Sequence, residues 1–102
     1  MSIGSSQPFR PAGTVAIAAG ATSSSAVLPA GGDTALVSNG TTSLAFVRFG
    51  ADPSVSATTA DTPVLPNGRL LLGINALITN VAVVLGTGSG TVYVTRGDGS
   101  VV

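Results

Sequence analysis

Apolar residues recur at every second position along much of this chain, in short runs broken by glycine, proline and asparagine. Val15 and Ile17 alternate with Thr14, Ala16 and Ala18, and Val92 and Val94 alternate with Thr91, Tyr93 and Thr95. In the run from Leu44 to Phe49, Leu44, Phe46 and Arg48 share one face and Ala45, Val47 and Phe49 the other. Val81, Val83 and Leu85 line one face of a further run, with Ala82 and Val84 opposite. A β-strand points successive side chains to opposite sides, so this period fits strands. No stretch combines apolar residues at i, i+3, i+4 and i+7 with a polar back, as a surface helix would. Leu70 to Leu77 comes closest, but it contains Gly73 and Asn75, and a bent strand accounts for it as well.

The residue types agree with the period. Lys and Glu, strong helix formers, are absent, while 14 Gly and 6 Pro punctuate the chain at short intervals. At 102 residues there is room for one domain with one core and a radius of about 13 Å. The expected architecture is all-β: an antiparallel jelly roll or β-sandwich of about eight short strands. They fall near 13–19, 23–29, 33–38, 42–49, 53–59, 62–66 with 69–73, 76–85 and 90–96. Asn39-Gly40, between two alternating runs, predicts a two-residue hairpin of type I′. Asn67-Gly68 after Pro66 predicts a second turn, and Gly86 to Gly90 a glycine-rich hairpin. Residues 1–12 carry Pro8 and Pro11 around Phe9-Arg10 and read as an extended N-terminal arm, leaving 13–102 as the single domain.

The side-chain inventory removes several classes of function. There is no His or Cys, hence no imidazole base, thiolate nucleophile or structural zinc site. No disulfide can form, so the fold must be held by burial or by association. Charged residues are 8% of the chain, four Arg against four Asp, with net charge zero. That leaves too little positive charge for nucleic-acid binding through phosphates or for an anionic membrane surface. No leader-like start and no apolar run near ~18 residues is present, which predicts a protein made in a cytoplasm and neither secreted nor membrane-spanning.

Candidate motifs carry little chemistry. The glycines of Gly86-Thr87-Gly88-Ser89-Gly90 precede a strand pattern, whereas a dinucleotide site needs a helix there. Arg96-Gly97-Asp98 spells an integrin-recognition tripeptide but reads as turn chemistry, and Asn39-Gly40-Thr41 matches a glycosylation sequon without a secretory signal. Asp33, Asp52, Asp61 and Asp98 read as loop carboxylates; Asp52 and Asp61 flank one segment and could meet across it. No base is available to activate a Ser or Thr, and the chain is expected to be no enzyme and to use no cofactor, with no metal-ligating residues singled out. Arg48 stands out within an apolar run. It either snorkels to water from a strand end or forms an ion pair with an aspartate of a neighbouring subunit.

Thr34-Ala35-Leu36-Val37-Ser38-Asn39-Gly40, continuing into Leu44-Ala45-Phe46-Val47-Arg48-Phe49-Gly50, resembles small β-sheet virion proteins of tailed phages and prophages. The segment Pro63 to Gly73 and the ending Thr95-Arg96-Gly97-Asp98-Gly99 fit the same type, so the resemblance spans 33–99. It implies a structural virion component that decorates or cements a capsid, with the major capsid protein as partner, a homo-oligomer such as a trimer, and location in the virion. No catalytic residues come with it. Phe9 and Arg10 in the arm and Arg48 in its strand are the residues expected to contact a partner. A receptor- or glycan-binding module at a tail tip or cell surface is the alternative.

Overall fold

The computed structural model describes residues 9–75 and 77–99. Eight strands, and no helix among the described residues, make two four-stranded antiparallel sheets. In chain order they are β1 (Arg10–Ala19), β2 (Ser24–Val27), β3 (Thr34–Asn39), β4 (Ala45–Gly50), β5 (Thr62–Val64), β6 (Arg69–Gly73), β7 (Asn80–Leu85) and β8 (Gly90–Asp98). The first sheet runs β1-β8-β3-β6 and the second β2-β7-β4-β5. The all-β class and the sandwich follow the expectation from the two-residue period.

The pairing has a simple order. β1 pairs β8, β2 pairs β7, β3 pairs β6 and β4 pairs β5, all antiparallel. Only β4 and β5 are consecutive strands in one sheet; every other connection crosses between the sheets. Four crossings (20–23, 40–44, 65–68 and 86–89) meet at one end of the sandwich. The connections 28–33, 51–61 and 74–79 meet at the other.

The core between the sheets is aliphatic. Ile17, Ala35, Val37, Ala45, Val47, Val64, Val81, Val83, Leu85, Val92 and Val94 are buried there, on alternate positions of their strands. Burying each Val, Leu or Ile contributes roughly 1.5–3 kcal/mol relative to exposure. Two polar side chains close the ends of this core. Asn39, 2% exposed, donates from Nδ2 to the carbonyls of Ser43 (2.8 Å), Val64 (3.0 Å) and Leu65 (3.2 Å). Its Oδ1 accepts from the Thr41 backbone N–H (3.0 Å) and hydroxyl (2.7 Å). At the opposite end Arg96, 4% exposed, donates from Nε to the Gly32 carbonyl (3.1 Å) and from Nη1 to that of Ile78 (2.5 Å). Each side chain ties together backbone carbonyls from separate segments at its end of the core.

Several local expectations are corrected. Asn39-Gly40 makes no hairpin, because β3 and β4 lie in different sheets. A type I′ turn needs positive φ at both central residues, and neither Asn39 nor Gly40 has it. Gly86 to Gly90 likewise links strands of opposite sheets and is no hairpin. The predicted strand at 53–59 is a loop; Asp52 opens it by accepting the Ser54 N–H at 2.8 Å, a geometry that competes with a ladder. The segment 62–73 is two strands in different sheets, parted by a turn in which the Gly68 N–H donates to the Leu65 carbonyl at 2.9 Å. Asn67 sits there at φ 56°, which with Pro66 before it fits a type II turn. The expected arm boundary after residue 12 also moves. Arg10 and Pro11 already pair with Asp98 and Gly97, and the register shifts between Pro11 and Gly13. Pro11 is tolerated because β1 is an edge strand, where one side of the backbone needs no ladder partner. The remainder of the predicted arm, residues 1–8, lies outside the described residues.

Candidate interaction face

The two sheets differ on their outer sides. On the second sheet, the outward residues Ala82 and Val84 of β7 are buried, at 0% and 6% exposure. They pack with Ala57, Val55 and Phe46 in a small cluster separate from the main core. Ala57 and Val55 belong to the 51–61 loop, which therefore roofs β7 and the adjoining Phe46 of β4. The Ala57 N–H donates to the Ser23 hydroxyl at 2.8 Å, tying the roof to the β1–β2 connection. At its far end Asp61 accepts the Thr58 N–H (2.7 Å) and pairs with Arg48 Nε on β4 (3.3 Å).

The first sheet has no such roof among the described residues. Its register sets out two outward rows. Thr14, Thr95, Leu36 and Leu71 are cross-strand neighbours in one; Ala16, Tyr93, Ser38 and Arg69 in the next. The Thr14 and Thr95 hydroxyls lie 2.8 Å apart on the surface. Small, uncharged side chains lose little rotamer freedom and little hydration when covered. In these rows only Arg69 is charged.

The four arginines separate clearly. Arg10 pairs with Asp98 (2.9 Å), Arg48 pairs with Asp61, and Arg96 is buried on loop carbonyls. Arg69 is exposed on β6 and meets no carboxylate among the described residues. It borders an open groove of about 430 Å³ shared with Ser38, Asn67 and Tyr93. A second groove, about 490 Å³ at the β1–β2 corner, is lined by Ala, Gly, Ser and Thr alone and offers no titratable group.

The residues expected to contact a partner are not brought together. Phe9 precedes β1 and is half-buried. Arg10 is exposed and held to Asp98 of its own chain. Arg48 does share the outer side with Phe46, as the alternation requires, but its aspartate is intramolecular, so the inter-subunit pair is not needed to explain it. Asp52 and Asp61 do not meet in a shared site: Asp52 caps Ser54 and Asp61 holds Thr58 and Arg48. The Ser54 backbone N–H, and then its hydroxyl, hold the Asp52 carboxyl below its ordinary pKa.

The two borrowed motifs lose their surface readings. Arg96 of Arg96-Gly97-Asp98 points into the sandwich and Gly97 is buried; a Cβ at Gly97 would strike the Arg10 backbone. The Asn39 amide of the sequon is buried and committed to five hydrogen bonds, so it is inaccessible to modification. The groove was missed in sequence because Arg69 and Tyr93 stand far apart in the chain; only the β6-β3-β8 register joins them. With this geometry in hand, comparisons with protein families, curated proteins and solved structures find no match to the chain.

Proposed function

We propose that this chain is a non-enzymatic structural protein of a virus particle, a jelly roll that decorates or cements a phage head by bridging capsid subunits. The pairing of β1 with β8, β2 with β7, β3 with β6 and β4 with β5 is what an antiparallel ribbon yields when rolled on itself, and it supports the jelly-roll reading. The observation that carries the function is the contrast of the outer sides. On the second sheet the outer side of β7 is covered by the 51–61 loop, and the first sheet leaves open a weakly polar face on whose two central rows Arg69 is the one charge. Covering that face on a capsid costs little desolvation, and many copies on one particle add avidity. The resemblance of 33–99 to phage virion proteins supplies the partner class, the major capsid protein, and a homo-oligomer as the working form.

The test is co-sedimentation of the purified chain with phage heads assembled without it. Binding that saturates at a fixed number of copies per head is expected; a chain left in the supernatant at every concentration refutes the reading. Removing residues 1–9, which precede β1, is expected to leave the domain folded and weaken binding, if Phe9 contributes an arm contact. A receptor- or glycan-binding module remains the second reading, favoured by one observation, the Tyr93 ring beside Arg69 and Asn67 in an open groove.

A further inference from the structure

We infer that the Arg69–Tyr93 corner of the open face is the anchor of docking, and that it receives an acidic side chain, Asp or Glu, from the partner's surface. This rests on the virion reading and adds the chemistry of the contact. Arg69, Ser38 and Tyr93 lie on adjacent strands in a single row, so the backbone positions of Arg69 and Tyr93 flank Ser38 about 10 Å apart. Asn67 is fixed in the turn just before Arg69 by the Gly68 N–H to Leu65 carbonyl bond. The groove between them is about 430 Å³, room for a side chain and its flanking backbone.

Charge complementarity selects the occupant. Arg10 and Arg48 are already neutralised by Asp98 and Asp61, and Arg96 is enclosed. The aspartates outside these pairs, Asp33 and Asp52, sit in the 28–33 and 51–61 connections at the opposite end from the 65–68 turn that leads into Arg69. A guanidinium offers a planar fork that matches a carboxylate in two parallel hydrogen bonds. Covered by a partner, it needs such a group, because a buried unpaired cation is costly. Tyr93, 45% exposed, supplies an apolar ring with a polar tip beside it. Tyr and Arg together are the side-chain types that dominate binding energy at interface centres.

The experiment measures head binding by the full chain carrying Arg69→Glu, Arg69→Lys or Tyr93→Ala. Arg69 holds no carboxylate partner in the described fold, so Arg69→Glu should melt at the temperature of the parent. Its affinity for heads is expected to fall at least about tenfold, with Arg69→Lys between it and the parent and Tyr93→Ala also weakened. Parent affinity in both Arg69→Glu and Tyr93→Ala overturns the inference and leaves the virion reading standing. A parent chain that ignores heads overturns both. If it ignores heads but is retained on immobilised glucuronic acid in an Arg69-dependent way, the carboxylate belongs to a sugar, and the glycan-binding reading replaces this one.

Discussion

Ala82 and Ala16 are both outward alanines on strands of the same sandwich, yet the first is sealed under the 51–61 loop and the second faces solvent. The same contrast separates β7 from β8. All six residues of β7 are buried, whereas in β8 Val92 and Val94 are buried and Tyr93 between them is exposed. A strand covered on both faces reads as a continuous apolar run, and a strand covered on one face alternates. Asn80-Val81-Ala82-Val83-Val84-Leu85 and Thr91-Val92-Tyr93-Val94-Thr95 are those two patterns. The outer side of β7 is covered by its own chain, whereas the outer side of β8 is open at Tyr93.

The alanine pair gives the sharpest way to break this contrast. Ala82→Asp would place an unpaired carboxylate under the roof, and a loss of about 3 kcal/mol or more is expected. Ala16→Asp should change stability by no more than about 0.5 kcal/mol. Urea unfolding of both variants reads the difference, and equal costs would mean that the roof is not a packed layer. Asn39→Ala comes next. It removes a buried donor shared by the carbonyls of Ser43, Val64 and Leu65 and the acceptor of the Thr41 N–H and hydroxyl, and a loss of about 2 kcal/mol is expected in the same assay.

Smaller still is Ser23→Ala, which removes the hydroxyl that accepts the Ala57 N–H. The expected cost is about 1 kcal/mol, with faster proteolysis confined to 51–61. Unchanged cleavage there would show that Ser23 does not hold the roof. The smallest effect concerns Asp52 at the start of the roof. Its folded pKa lies below the ordinary 3.8, so ionisation favours the folded state. That contribution is present above the ordinary value and disappears as pH falls through the folded one. Asp52→Asn should therefore flatten the acid limb of a melting-temperature profile slightly as pH falls below the ordinary carboxylate range. An acid limb identical to the parent's removes Asp52 from the account.

The fold class was legible because strand period is a property of each short run on its own. Val15-Ala16-Ile17 or Val92-Tyr93-Val94 needs no knowledge of its partner to declare a half-buried strand. Connections were not legible in the same way. Asn39-Gly40 has the residues of a tight hairpin, but Asn39 turns inward and gives its amide to the carbonyls of Ser43, Val64 and Leu65. Tertiary hydrogen bonds outweighed local turn preference. Arg96 behaved alike: a motif familiar from exposed loops sits here at an inward strand position, where the guanidinium binds Gly32 and Ile78. Segment 53–59 was misread because Val55 and Ala57 alternate like strand residues. They do bury their side chains, but against the outer side of a sheet and without a ladder. Arg48 was placed on the correct side of β4, although its aspartate proved to be in its own chain.

The most direct measurement is hydroxyl-radical footprinting of side chains on the free protein and on the protein bound to phage heads. Tyr93, Leu36 and Leu71 should lose reactivity on binding, while Val55 and Pro63 of the roofed side keep the reactivity they have in the free chain. Protection of the roofed side with Tyr93 still fully reactive would contradict the assignment of the open sheet as the docking face.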